Sequence, residues 1–169
     1  SSTHDPNLID SLKKFKADLF VVVAFKVLPP SVLDLPKIGS INVHASILPK
    51  YRGAAPIHWA VANGEEETGC TIFFLDTKVD TGAILCSLKT PIGPAETTGE
   101  LYNRLKYVGA DALNQALSII ESGDYHLEPQ NDRLATPAPK VFRKDGQLDF
   151  NQHLSSLYNQ FRAMTPVPG

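Results

Sequence analysis

The stretch Ser40-Ile41-Asn42-Val43-His44-Ala45-Ser46-Ile47-Leu48-Pro49-Lys50-Tyr51-Arg52-Gly53 decides how this chain is read. Its first half carries the β-branched residues Ile41 and Val43, and its second half is bounded by Pro49 and Gly53, so the pattern predicts a buried strand whose carboxyl end opens into a turn. Asn42 and His44 share one face of that strand, because side chains alternate along it. The carboxyl edge of an open α/β sheet is where such sheets bind ligands. An amide there can donate to an oxyanion and an imidazole can move a proton near neutral pH, a pairing that suits acyl transfer. The same two residues alone are also consistent with a satisfied polar pair in a turn, since buried polar groups are usually hydrogen-bonded.

Working outward from this strand, the pattern alternates helices and strands. Upstream, Asp18 introduces LFVVVAF, a continuous apolar run that reads as a fully buried parallel strand. It is preceded by a helix over residues 7–16, with Leu8, Ile9, Leu12 and Phe15 at helical spacing and Asn7 or Asp5 as cap. Pro29 and Pro30 introduce a short helical turn ended by Pro36. Downstream, residues 55–63 form a helix with Pro56 in its first turn and Gly64 after its end. Strands over 68–75 and 83–92 flank the polar loop 76–82, which is too short for a helical crossover, so they pair antiparallel. The longest helix spans 97–122, with Leu101, Leu105, Val108, Ala112, Ala116 and Ile119 on one stripe and Gly123 as its stop. Beyond Asp124 the chain reads as irregular, with a last helix over 152–162 and a Pro-rich, linker-like end.

Composition is that of one α/β domain with a substantial core: 169 residues, 43% hydrophobic and 20% charged. A formal charge of -2 gives no global electrostatic footprint for nucleic acid. Cys70 and Cys86 have no metal-type spacing and suit a reduced, cytosolic setting. No run reaches the length of a membrane span, and the amino terminus is not a signal peptide. Ser1 to Asp5 reads as the interior of a longer polypeptide, with the amino-terminal strands of the sheet missing and one sheet edge left exposed. The loop FLDTKVDTG supplies two carboxylates, Asp76 and Asp80, of which Asp80 either reaches His44, directly or through one water, or caps its own turn. Lys50 and Arg52 either meet the phosphates of a nucleic-acid end or belong to a solvated loop. His58 reads as a packed or surface histidine, and Arg162 as packing back onto the domain.

The run NVHASILPKYRGAAPIHWAVANGEEETGCTIFFLDTKVDTG resembles the signature region of the folate-dependent formyltransferases, with its Asn-x-His, its S-L-L-P loop and its later Asp-Thr-Gly. The segment from Arg52 to Ile57, and APKVFRKDGQLDF with FRAMTPVPG near the end, are similar to the methionyl-tRNA formyltransferase branch of that family. The resemblance covers nearly the whole chain from about Asp18.

It implies a Rossmann-like catalytic domain with a mostly parallel sheet and flanking helices over residues 1–150. Residues 151–169 would be the final helix and the start of a linker to a carboxyl-terminal domain. It places the catalytic roles on Asn42, His44 and Asp80 and the folate contacts on Ser46, Ile47, Leu48 and Pro49. A second folate wall falls on Phe25, Val27 and Leu28, with Val79 opposite; Phe25 and Lys26 depart from the family's Tyr-Gly. The implied reaction moves the formyl group of 10-formyltetrahydrofolate to the amino group of methionyl-initiator tRNA, without a metal. The enzyme is expected to be a monomer away from membranes, in the bacterial cytoplasm or an organellar matrix. Transfer to an amino sugar or another amine, hydrolysis of formyltetrahydrofolate, and a non-catalytic folate-binding module are the alternatives.

Overall fold

The computed structural model describes residues 6–24 and 27–169. In chain order the elements are α1 (Pro6–Lys14), β1 (Leu19–Val23), α2 (Pro30–Leu33), β2 (Gly39–His44), β3 (Arg52–Gly53), α3 (Pro56–Ala62), β4 (Glu67–Phe74), β5 (Ile84–Pro91), α4 (Thr98–Ser122), β6 (Pro137–Ala138) and α5 (Leu154–Ala163). The expected α/β architecture is present, with each expected helix and strand within a few residues of its place. Phe25, assigned to the folate wall by resemblance, lies outside the described residues, as does Lys26.

The sheet runs in the order β1-β2-β4-β5. Among the described residues β1 runs parallel to β2, β4 returns antiparallel beside β2 and β5 antiparallel beside β4. The β4–β5 connection, residues 75–83, is a loop without a helical crossover, and β5 returns antiparallel beside β4. A Cβ at Gly82 would lie 1.7 Å from the Phe74 carbonyl oxygen, so only glycine permits that loop.

β4 is the core strand: residues 68–73 are all buried, with Ile72 and Phe73 fully so. One face of the sheet is covered by α4, which buries Leu101, Leu105, Gly109, Ala112, Ala116 and Ile120. The expected stripe is thus recovered with Gly109 and Ile120 in place of Val108 and Ile119, both of which are half-buried. At Gly109 a Cβ would meet Val43 Cγ1 at 3.3 Å and Cys70 Sγ at 3.4 Å, a measure of how closely the helix approaches the sheet. Thr97 and Glu100 form a reciprocal capping box at the start of α4, and Gly123 in the left-handed conformation ends it. Arg104 ties this end to the sheet through Glu96 and Thr90.

Two sequence expectations change. β1 is parallel as expected but not fully buried: among the described residues it pairs only with β2, so it forms an edge, with Val21 42% and Val23 59% exposed. The segment past Asp124 is not wholly irregular, because β6 pairs in parallel with β3 and Glu128 bridges Ile84. These pairings join residues far apart in the chain, up to 85 positions for Tyr51 N–H to Thr136 Oγ1, so no local pattern announces them. The Pro-rich end lies against the fold, with Thr165 accepting from Gly99 N–H and with Ala163 and Met164 buried against the core.

Leu101 is fully buried at the centre of the α4 interface. Leu101→Ala is expected to lower stability by about 2–5 kcal/mol, read as a shifted denaturant midpoint at unchanged slope. The exposed β1 edge predicts self-association of the 169-residue chain, relieved by Val21→Lys. Sedimentation of a wild-type chain that stays monomeric at high concentration would count against it.

Candidate active site

His44 ends β2 and is buried, at 6% exposure. Its Nε2 lies 2.8 Å from the Tyr51 carbonyl oxygen. A carbonyl can only accept, so Nε2 carries the hydrogen and Nδ1 holds the lone pair when the ring is neutral. That carbonyl is aimed by an unusual backbone, since Tyr51 has φ +63, a conformation that L side chains rarely adopt. Tyr51 is held there from several directions. Its N–H donates to Thr136 Oγ1 at 2.9 Å, its hydroxyl donates to Glu65 at 2.7 Å, and Asn63 donates to the hydroxyl at 3.2 Å. Burial first, and then the neighbouring Glu65 carboxylate, push the Tyr51 phenol up to about 12. Burial also acts to raise Glu65, but hydrogen bonds from Tyr51 and Lys50 outweigh it and hold that carboxyl below its ordinary value.

Asp80 faces the other ring nitrogen. Its Oδ2 lies 3.7 Å from His44 Nδ1 and accepts from Gly53 N–H at 2.8 Å. Of the two readings of Asp80, the structure thus favours the one in which it faces His44. The separation exceeds a hydrogen bond, so Asp80 does not by itself orient the ring; the Tyr51 carbonyl does. A proton arriving on Nδ1 would be met by this carboxylate. Asp80 too has a left-handed backbone, φ +54, and is only 9% exposed. Gln130 donates to its carbonyl at 3.0 Å and to that of Gly82 at 2.7 Å. Gly53, at φ +127, could not be another residue, because a Cβ there would lie 2.5 Å from the Ala138 carbonyl oxygen.

Asn42 stands on the same strand face, two residues before His44, and its side-chain oxygen is buried without a partner among the described residues. An orphaned amide oxygen in an otherwise well-bonded site marks a place for a ligand group. Asn42, His44 and Asp80 all line one cleft of about 1080 Å³ at the carboxyl edge of β1 and β2. Its walls are mainly apolar: Val22, Val27 and Leu28 on one side, Leu105 and Leu113 of α4 on another, and Val79 in the loop after β4. Among the described residues no group of three His, Cys, Asp or Glu side chains is arranged to hold a metal ion. Burial pushes the Cys70 thiol up to about 11 and raises Cys86 as well, so neither is an activated nucleophile.

The structure brings together Asn42, His44, Asp80, Val27, Leu28 and Val79, but not the Ser46 to Pro49 loop. None of Ser46, Ile47, Leu48 and Pro49 lines the cleft. Ser46 is fully buried and donates to the Lys50 carbonyl at 2.7 Å, while Thr71 Oγ1 donates to the Ser46 carbonyl at 2.7 Å and accepts from Leu48 N–H at 3.1 Å. These bonds draw the loop down onto β4, where it carries the chain from His44 to Tyr51.

Arg52 is also accounted for internally, by Gln130 at 2.7 Å and Asp132 at 2.8 Å, with its side chain 14% exposed. That removes it as a free phosphate contact. Lys50 is exposed and pairs with Glu65. His58 borders the cleft and bonds to the Val167 carbonyl at 3.1 Å. Arg162 is buried and donates to the carbonyls of Gly93 and Glu96, packing back onto the domain as its sequence position suggested. Sequence reasoning missed Tyr51, Thr71 and Gln130. Only Tyr51 lay within the quoted motif, and its contribution is a backbone oxygen that no side-chain pattern displays.

The chain is 50% identical over 163 residues to the methionyl-tRNA formyltransferase of Synechococcus sp. (strain JA-3-3Ab), covering 96% of this chain and 51% of that protein. It spans about half the length of the curated relatives it matches. The fold is shared with HypX from Aquifex aeolicus in complex with tetrahydrofolic acid, at a TM-score of 0.82 and 20% identity over 98% of this chain and 29% of that one. A sugar N-formyltransferase from Shewanella sp. FDAARGOS_354 gives a TM-score of 0.81 at 20% identity, over 97% of this chain and 66% of that one. Residues 1–117 match the profile described as formyl transferase, and on that match the chain belongs to the formyl transferase family.

Proposed function

We propose that this chain carries the catalytic centre of an enzyme that transfers the formyl group of 10-formyltetrahydrofolate to the amino group of methionyl-initiator tRNA. The observation that carries the reading is the orphaned Asn42 amide beside the His44 and Asp80 pair on one wall of an apolar cleft. The acceptor is supported by the names of relatives at 43–50% identity over nearly the whole of this chain. Residues 1–150 are proposed as the catalytic domain and 151–169 as its final helix and the beginning of a linker.

The chemistry follows from the positions. The neutral amine attacks the formyl carbon and the carbonyl oxygen becomes an oxyanion. Asn42 donates to that oxyanion from its amide nitrogen, while its orphaned oxygen gains a partner from the bound ligands. His44 has its lone pair on Nδ1, so Nδ1 takes the proton released by the attacking amine. The resulting imidazolium lies between the Asp80 carboxylate and the Tyr51 carbonyl, both of which stabilise positive charge. The proton then passes to the departing folate nitrogen, and the tetrahedral intermediate collapses to the formamide and tetrahydrofolate. The cleft walls Val27, Leu28 and Val79 suit the flat pterin by burying apolar surface.

The test uses the whole polypeptide that contains this sequence, with 10-formyltetrahydrofolate and charged initiator tRNA. Formyl-methionyl-tRNA is expected for the wild type, a near-complete loss for His44→Ala, and a fall of about 10²–10³-fold in kcat for Asn42→Ala. Folate turnover without formyl-tRNA would replace the acceptor by an amino sugar or water. Wild-type activity in His44→Ala would remove the histidine from the chemistry.

A further inference from the structure

Gln130 lies in the segment after α4, fifty residues from Asp80, and every polar site of its amide is matched. Nε2 donates to the Asp80 carbonyl at 3.0 Å and to the Gly82 carbonyl at 2.7 Å. Oε1 accepts from Arg52 Nε at 3.0 Å and from Arg52 Nη2 at 2.7 Å. The orientation of the amide is fixed by chemistry, because a guanidinium only donates and two carbonyls only accept. Turned over, the amide would set donors against donors and acceptors against acceptors.

These bonds close a ring. Asp80 Oδ2 accepts from Gly53 N–H, Gly53 follows Arg52, Arg52 holds Gln130, and Gln130 holds the Asp80 backbone. The residue at the centre of the ring is the one whose backbone is in the left-handed region, φ +54, without being glycine. Such a conformation persists only where neighbouring bonds over-determine it. We propose that Gln130 is a positioning residue: by clamping the two carbonyls that flank Thr81, it keeps the Asp80 carboxylate opposite His44 Nδ1. This rests on the reading of Asp80 given above. Asn131 and Asp132 secure the clamp in turn, through the Asn131 cap on Arg133 N–H and the Asp132 ion pair with Arg52.

The experiment compares the wild type, Gln130→Met and Gln130→Glu in the whole polypeptide. Methionine keeps the length and packing of the side chain and removes its four hydrogen bonds, while Arg52 keeps Asp132. Glutamate keeps the acceptor for Arg52 but has no donor for the two carbonyls. Both variants are expected to lose about 10²-fold in kcat through misplacement of Asp80, with KM for 10-formyltetrahydrofolate changed by less than about twofold. A second readout needs no turnover: amide exchange at Gly53, whose N–H donates to Asp80, is expected to quicken about tenfold while Ile72 and Leu101 stay protected. Wild-type kcat in Gln130→Met, full activity in Gln130→Glu, or a uniform loss of protection that includes Ile72 and Leu101 would each overturn the proposal. If the wild type transfers no formyl group, the catalytic reading falls, and Gly53 exchange alone decides whether Gln130 holds Asp80.

Discussion

The hydrogen bond from His44 Nε2 to the Tyr51 carbonyl is the constraint on which the site depends. It fixes the tautomer, turns Nδ1 toward Asp80, and ties the end of β2 to the far side of the loop that follows. Tyr51 presents that carbonyl from a left-handed backbone, and a non-glycine residue in that region costs on the order of 1–3 kcal/mol. The surrounding bonds to Thr136, Glu65 and Asn63 offset that cost. A chain that spends stability on one carbonyl direction, next to a buried imidazole, has a use for that direction.

The scaffold makes such local strain tolerable. β4 is buried along nearly its whole length between β2 and β5, and α4 seals one face of the sheet through a stripe that includes the close approach at Gly109. Thr71, fully buried in β4, binds the Ser46 to Leu48 segment through its hydroxyl and also receives Ser87 from β5. One hydroxyl therefore links the sheet interior to the loop that carries Tyr51. The rigidity of the core is transmitted to the histidine through very few bonds. With the frame held this firmly, a site can be pre-organised before a ligand arrives.

The cleft completes the division of labour. Its walls are apolar and drawn from β1, α4 and the loop after β4, whereas its polar groups converge from β2 and from the turn at Asp80. Apolar surface binds a flat heterocycle with little directional demand, and the few polar groups set where the reacting atoms lie. The cross-links from residues 128–138 to β3 and β5 stand behind this arrangement. They close the turn onto the sheet from behind.

The sequence by itself determined the alternation of helices and strands, the stripe of α4 with its Thr97 and Gly123 limits, and the pairing of Asn42 with His44 on one face. These are local facts, set by side-chain periodicity and cap chemistry within a few residues. It also determined the family, because the motif residues occur in order in one short region. Tertiary structure alone decided that the Ser46 to Leu48 segment is bonded to β4 through Thr71, that Arg52 is consumed by Gln130 and Asp132, and that Asp80 faces His44 without touching it. It also decided that a backbone oxygen of Tyr51 sets the imidazole. The physical reason is the same each time: these outcomes depend on backbone direction and on partners dozens of residues away. Such geometry leaves no periodic trace along the chain.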